Sequence, residues 1–406
     1  MNCRFCKTKI ETLFLDLGHS PVSNDFITQN DLQKPEVYYP LQVYVCERCK
    51  LVQTKDFKAS DELFRADYPY FSSVSKSWVE HCRAYAEMMV NRFGLRPGDY
   101  IVEIASNDGY LLQFFHEKGF DVCGIEPTRG TAEAAIAKGI PTVVDFFTKA
   151  FARQTFDQKK ANLIIGNNVL AHVPDINDFL DGLKLALAPT GIMTFEFPHF
   201  LQLYRQNQFD TIYHEHYSYF SLLTIKAIFE YHAFHVFDTE ELPTHGGSLR
   251  IFVQHQPGSR PESKQVKRIL AMEEASGLSD ISTYQNFARK AWRVKWQFLS
   301  FLLEARTQGR QVAAYGAAAK GNTLLNYCGV KPDLIAFCCD ANPQKQHKFL
   351  PGSHIPVLPP EKVNEAKPDY VIILPWNLKD EITRELEAVR TWGGKFVTPI
   401  PELTIF

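Results

Sequence analysis

With 406 residues, the chain exceeds the size at which one hydrophobic core keeps growing, so it divides into two or three domains. Hydrophobic residues make up 45% and charged residues 22%, ordinary globular usage that excludes a disordered chain. A formal charge of -2 supplies no overall field for nucleic acid or an anionic membrane, and no apolar run is long enough to span a bilayer. The start Met1-Asn2-Cys3-Arg4 lacks the basic-then-apolar pattern of a signal peptide, so the expectation is a cytoplasmic protein, monomeric by default, that binds neither nucleic acid nor membrane.

Residues 1–66 form a β-rich segment with strand-like runs such as Leu41 to Val45. Four of the nine cysteines fall here in two pairs, Cys3-x-x-Cys6 and Cys46-x-x-Cys49. In a reducing compartment that spacing points to zinc, each pair presenting two thiolates from one tight turn. Four thiolates leave no open coordination position, so the metal is expected to be structural. The other five, Cys82, Cys123, Cys328, Cys338 and Cys339, read as small buried apolar residues.

Residues 67–255 open with a loop, Tyr68-Pro69-Tyr70-Phe71-Ser72-Ser73, and then place Trp78, Cys82, Tyr85, Met88 and Met89 at helical spacing. From Tyr100 onward short apolar runs alternate with helical segments: Tyr100 to Ile104, Asp121 to Ile125, Thr142 to Val144, Leu163 to Ile165 and Ile192 to Phe197. This alternation predicts a parallel sheet with helices on both faces and a ligand beyond the carboxyl ends of its strands. The first strand carries Glu103 and runs into a turn of small residues, Ala105-Ser106-Asn107-Asp108-Gly109, where a nucleotide can approach the backbone. The next strand ends in Glu126, placed to accept hydrogen bonds from ribose hydroxyls.

Tyr213-His214-Glu215-His216-Tyr217-Ser218-Tyr219-Phe220 concentrates proton-transfer side chains after what reads as the last strand of the sheet. Imidazole titrates near neutral pH, so His216 or His214 can serve as a general base. His245-Gly246-Gly247-Ser248 is either a hairpin turn or a loop that meets a ligand closely. Residues 256–406 begin with a helical stretch, Glu262 to Arg310, followed by strands Gln311 to Tyr315, Leu334 to Cys338 and Tyr370 to Leu374, a second, smaller α/β unit. After its first strand, a Gly/Ala-rich turn with Lys320 forms a candidate pyrophosphate cradle.

The acid, small-residue turn and second acid resemble class I S-adenosylmethionine-dependent methyltransferases, with Ala105 and Ser106 where many members have glycines. That resemblance implies cofactor contacts from Glu103, Ser106, Asn107, Gly109 and Glu126, with Asp145 flanking the adenine and Asn167 near the methionine part. The paired cysteines, Tyr70-Phe71-Ser72-Ser73, the Tyr213 to Tyr219 motif, His245-Gly246-Gly247-Ser248-Leu249-Arg250 and Tyr315 to Asn322, in that order, resemble the nucleotide-sugar C-methyltransferases. These methylate carbon 3 of 4-keto deoxysugars. The resemblance implies His216 as the base, Tyr213 steadying an enolate, Glu215 beside them, His172 as a further active-site histidine, and Tyr68 or Tyr70, with Tyr68 preferred, as an active-site tyrosine. Substrate contacts are expected from Tyr70, Ser72, His214, His245, Lys320 and Asn322, the C-terminal unit gripping the nucleoside diphosphate. The implied fold class is α/β: a class I Rossmann-like domain between a small β-rich zinc module and a C-terminal Rossmann-like domain. The rivals are an O- or N-methyltransferase and a zinc-ribbon nucleic-acid-binding protein with a non-catalytic cofactor domain.

Overall fold

The computed structural model describes residues 1–58, 60–63 and 71–406. Tyr68 and Tyr70 therefore lie outside the described residues.

Three sheets organise the chain. The largest has seven strands in the order Phe234–Leu242, Ser248–His255, Leu187–Pro198, Ala161–Asn167, Tyr100–Ile104, Asp121–Ile125 and Thr142–Val143. The five strands expected from the sequence are present and parallel. Two more follow: Ser248–His255 runs antiparallel to Leu187–Pro198, and Phe234–Leu242 closes the edge. The Tyr213 motif therefore precedes the final hairpin instead of following the last strand, because these two strands read as ordinary amphipathic chain. Strand order reverses beside Tyr100–Ile104, so a crevice opens at the carboxyl ends of that strand and Ala161–Asn167.

Helix Lys76–Phe93 starts on Ser75, whose hydroxyl accepts the Trp78 N–H, and stops at Gly94 in the left-handed region, φ 62°. It turns Cys82, Tyr85, Ala86 and Met89 onto the sheet. Its His81 also reaches a buried charge cluster. Glu196 and Arg250 are directly opposed across their strands, and Arg250 Nη2 donates to Glu196 Oε2 at 2.7 Å, with His81 Nε2 at 3.0 Å from the same oxygen.

The C-terminal sheet has six strands in the order Val357–Leu358, Cys338–Cys339, Val312–Tyr315, Tyr370–Ile373, Lys395–Thr398 and Thr404–Ile405, all parallel except the last. Of the expected Leu334 to Cys338 run only Cys338 lies in a strand, Cys338–Cys339. The linking helices Lys264–Ala275, Ile281–Gln285 and Ala288–Thr307 occupy the stretch read as helical. Helix Ala288–Thr307 buries Ala291, Val294, Phe298, Phe301, Leu302 and Ala305 and leaves Trp292 and Trp296 outward.

The N-terminal sheet runs Leu13–Ser20, Tyr39–Val45, Val52–Thr54 and then Ser218–Tyr219, so its fourth strand comes from the proton-transfer motif about 160 residues further on. Its inner face belongs to a core cluster that also contains Tyr284, Phe287 and Phe298 of the linking helices and Ala314, Leu324 and Ile372 of the C-terminal unit. Phe14 stacks on Phe287 with ring centroids 4.7 Å apart.

Glu196 is fully buried, and burial alone would raise its pKa. The His81 hydrogen bond and the Arg250 charge outweigh that and hold it down at about 2. Its contribution to stability is thus complete above the ordinary carboxylate pKa and is lost as pH falls toward 2. Arg250→Met strands an unpaired charge and is expected to cost about 3–5 kcal/mol at pH 7, read from the shift in urea midpoint. An unchanged midpoint would show that the pair contributes nothing.

Candidate active site

The zinc ligands come together as the spacing requires. The sulfurs of Cys3, Cys6, Cys46 and Cys49 all lie within 4.8 Å of one another, with Cys3 to Cys49 and Cys6 to Cys46 at 3.5 Å. Four thiolates around a tetrahedral ion with bonds of about 2.3 Å stand at nearly this separation, so the donor set fits zinc. The two turns are built alike. Lys7 and Lys50 adopt φ of 58° and 60°, and their N–H groups donate to the carbonyls of Cys3 and Cys46 at 3.1 and 2.8 Å.

A cavity of about 790 Å³ opens at the crevice predicted by the strand order. Among the residues expected to contact the cofactor, Asn107, Glu126, Asp145 and Asn167 line it. Glu126 Oε2 accepts the Asn107 N–H at 2.9 Å and Oε1 the Thr128 N–H at 2.8 Å, and the Thr128 and Thr131 side chains also bond it, which fixes the carboxylate at the cavity wall. Asn167 ends strand Ala161–Asn167, and both polar atoms of its amide are buried with no partner among the described residues. A buried amide left open at a cavity wall suits a polar ligand, and with Glu126 it makes the site fit S-adenosylmethionine.

Glu103, Ser106 and Gly109 are not in the wall. Glu103 is buried within its strand, where burial pushes its pKa well up and the Tyr110 hydroxyl opposes this. The Ser106 side chain turns back onto the neighbouring strand, its Oγ 2.3 Å from where a Cβ on Gly124 would stand. Gly109, at φ +75°, gives its space to Ile140 and Ala135. These residues shape the turn behind the ligand surface. Ala105 and Asn107 hold φ of 56° and 51°, so the left-handed turn forms without the glycines common at this point.

The same cavity is lined by His172, Tyr213, His216, Ser72, His245 and Lys320. His216 Nδ1 faces the Thr211 carbonyl at 2.9 Å and His172 Nδ1 the Glu215 carbonyl at 2.7 Å. A carbonyl can only accept, so each Nδ1 carries the proton and each Nε2 holds a lone pair. Burial pushes the His216 pKa well below the ordinary imidazole value, reinforced by neighbouring His172, and burial holds His172 at about 4. The rings of His172 and His216 are 4.7 Å apart, and that of Tyr213 lies 4.0 Å from His216. Ser72 enters through its N–H, which donates to Asn107 Oδ1 at 2.8 Å. His245, at φ 53°, accepts from Asn168 Nδ2 at 3.0 Å and packs against Trp78.

Three expected contacts point elsewhere. His214 faces the Pro40 carbonyl at 3.3 Å and the edge of Tyr39; it sits in the turn closed by the His216 N–H on the Tyr213 carbonyl at 2.9 Å, which points it away from the cavity. Glu215 is fully buried behind the wall, accepts from Asn24 Nδ2 at 3.0 Å, and is pushed up to about 7 by burial. Asn322 is buried and donates to the Ser23 carbonyl at 2.6 Å.

Sequence reading missed Trp78, Lys345 and Asn377, which also line the cavity, and Asp210 behind it. Lys320 Nζ donates to Asn377 Oδ1 at 2.7 Å and lies 4.6 Å from the centre of the Trp376 ring. Asp210 accepts from Trp376 Nε1 at 2.7 Å, and burial lifts its pKa to about 6 against the charge of Lys320. Asp210 stands three residues before Tyr213 in a largely polar run, Gln206-Asn207-Gln208-Phe209-Asp210-Thr211, and like Lys345 and Asn377 carries no local signal.

Family models match three stretches: a zinc binding domain at residues 3–64, a methyltransferase domain at 78–237 and a C-methyltransferase C-terminal domain at 243–401. The C-methyltransferase NovU of Streptomyces niveus is 36% identical over 401 residues, covering 98% of this chain and 95% of the relative. Among solved structures, an S-adenosylmethionine-dependent methyltransferase from Anabaena variabilis aligns with 16% identity and a TM-score of 0.40, over 50% of this chain and 96% of the other. A magnesium protoporphyrin IX methyltransferase from Synechocystis aligns with 15% identity and a TM-score of 0.34, over 44% and 82%. No helix among the described residues is long and apolar enough to cross a membrane.

Removing one hydrogen-bonding wall group should weaken cofactor binding by about 1–3 kcal/mol. Glu126→Ala and Asn167→Ala are therefore expected to raise the S-adenosylmethionine Kd in calorimetry while zinc content stays at one per chain; parental affinity in both would remove this wall as the cofactor site.

Proposed function

This chain belongs to the S-adenosylmethionine-dependent C-methyltransferases, and we propose that it methylates carbon 3 of a nucleoside-diphosphate 4-keto-6-deoxysugar. The observation that carries this reading is one continuous cavity lined by Glu126 and Asn167, by His172, Tyr213 and His216, and by Lys320 and Lys345 from the C-terminal unit. A base for carbon acid chemistry, a hydroxyl donor and two cations suited to a diphosphate face a single space.

When bound, S-adenosylmethionine supplies an electrophilic methyl group. The chain's own residues make the carbon that receives it. A ketone at carbon 4 acidifies the hydrogen on carbon 3. His216 is neutral at physiological pH because burial penalises its cation, and its Nδ1–H is committed to Thr211, so Nε2 takes the proton. As the C–H bond breaks, its electron pair moves into the enolate, and the Tyr213 hydroxyl donates to the enolate oxygen. The diphosphate sits against Lys320, whose pKa burial lowers and the Asp210 charge supports, and whose ammonium lies over the Trp376 ring; Lys345 adds a second positive charge. The neighbouring C-terminal helix Ala319–Cys328 is tied to the base by Thr323 Oγ1, which donates to the Ile212 carbonyl at 2.8 Å.

Incubation with several nucleoside-diphosphate 4-ketosugars in deuterated water should put deuterium at carbon 3 of the unmethylated sugar and, with cofactor present, a methyl group in place of that hydrogen in the product. Absence of both with every sugar would sink the reading, and a product whose new methyl group sits on oxygen or nitrogen by NMR would replace it. His216→Asn keeps a donor for Thr211 but loses the base, so turnover should fall by about 10²–10⁴-fold with the cofactor Kd unchanged. Turnover near the parental rate would remove His216 from that role.

A further inference from the structure

We propose that Arg4, inside the first cysteine pair, is a positioning residue through which the zinc centre holds the His172 and His216 loops in register. The proposal rests on the reading of those two histidines as active-site groups. A closed four-thiolate site is ordinarily a local staple, but the residue this one fixes reaches well outside its own turn.

Arg4 is 8% exposed. Its Nη1 donates to the Pro174 carbonyl at 3.0 Å and to Asp56 Oδ2 at 3.0 Å, and its Nη2 donates to the Thr54 carbonyl at 3.0 Å and to Asp56 Oδ1. The guanidinium carbon lies 4.9 Å from the centre of the Tyr217 ring. Pro174 is two residues beyond His172 and Tyr217 is next to His216, so one planar cation touches both histidine loops.

The same two loops are joined to the zinc turn along the backbone. Thr54 donates its N–H to the Tyr217 carbonyl at 3.1 Å and its hydroxyl to the His216 carbonyl at 3.0 Å. The neighbouring Gln53 turns the other way, accepting the Arg4 N–H at 2.9 Å and donating to Cys3 Sγ at 3.4 Å. Tyr217 N–H donates to the Ala171 carbonyl at 2.7 Å, which closes the circuit between the loops. Metal–thiolate bonds fix the backbone on both sides of Arg4, and the rigid guanidinium fork transmits that position to several acceptors at once. A lysine ammonium, a single point of charge, cannot span them.

The test is peptide-level hydrogen exchange on the full-length, zinc-loaded protein before and after metal removal by a chelator. We expect exchange to rise about tenfold or more at residues 170–175 and 213–219, while strands Ala161–Asn167 and Val312–Tyr315 stay protected. A rise confined to residues 1–58, or one spread evenly over the chain, overturns the proposal. Arg4→Met, or Arg4→Lys if the first does not fold, should keep one zinc per chain and parental cofactor affinity yet speed exchange in those same two segments. Its turnover should fall about 10–100-fold with an unchanged KM for S-adenosylmethionine. Parental exchange in the folded variant also overturns it. The exchange readout needs no sugar, so its failure is distinguishable from failure of the proposed substrate.

Discussion

The pairing of two very short strands, Val52–Thr54 with Ser218–Tyr219, carries more of this structure than its length suggests. Strands of two and three residues have little stability of their own, and a register slip of one residue would turn every side chain to the opposite face. The turn just before this pairing, closed by the His216 N–H on the Tyr213 carbonyl at 2.9 Å, sends His216 to the cavity and His214 to Pro40. What pins the pairing is side-chain bonding from Thr54 on one side and the zinc turn on the other. The N-terminal segment is thereby joined to the loop that carries His216, and its hydrophobic face packs on the linking helices through Phe14 and Phe287 and shares their core with the C-terminal unit.

Around the cavity, electrostatics divides into groups held neutral and groups held charged. His216 is buried and His172 and His245 are half-buried where desolvation disfavours a cation, and His172 and His216 each spend Nδ1–H on a backbone carbonyl. Neutral imidazoles in such a place remain available to take a proton. Beneath the His245 turn the logic is the reverse. Glu196 remains ionised because Arg250 and His81 surround it, and Thr244 donates to its other oxygen at 2.7 Å. The Arg250 of the His-Gly-Gly-Ser-Leu-Arg motif thus supports the turn from within, and no ligand contact is needed to account for it.

The C-terminal sheet meets this centre through its own first turn and helix. Lys320 enters the shared cavity, whereas Asn322, two residues on, is rotated into the contact with Ser23 of the N-terminal segment. One short motif therefore serves two purposes, lining the cavity with one residue and joining distant parts of the chain with another. Helical rotation of about 100° per residue separates those roles.

Several features were legible in the residues alone because they are local. Two Cys-x-x-Cys pairs define a tetrahedral donor set by spacing; alternating apolar runs announce the parallel strands; an acid after the second strand, Glu126, marks a position that lines the cavity. Other features depend on contacts between residues far apart in sequence. Whether Glu103, Ser106 and Gly109 face a ligand or the packing behind it depends on Tyr110, Gly124 and Ile140, which no local pattern announces. The Phe234–Leu242 and Ser248–His255 strands and the sheet partner of Ser218–Tyr219 were equally hidden. Composition and spacing thus determined which chemical groups the chain carries and in what order, but only tertiary structure decided which of them share one space. Side-chain direction is set by long-range register and packing, and these are properties of the folded whole.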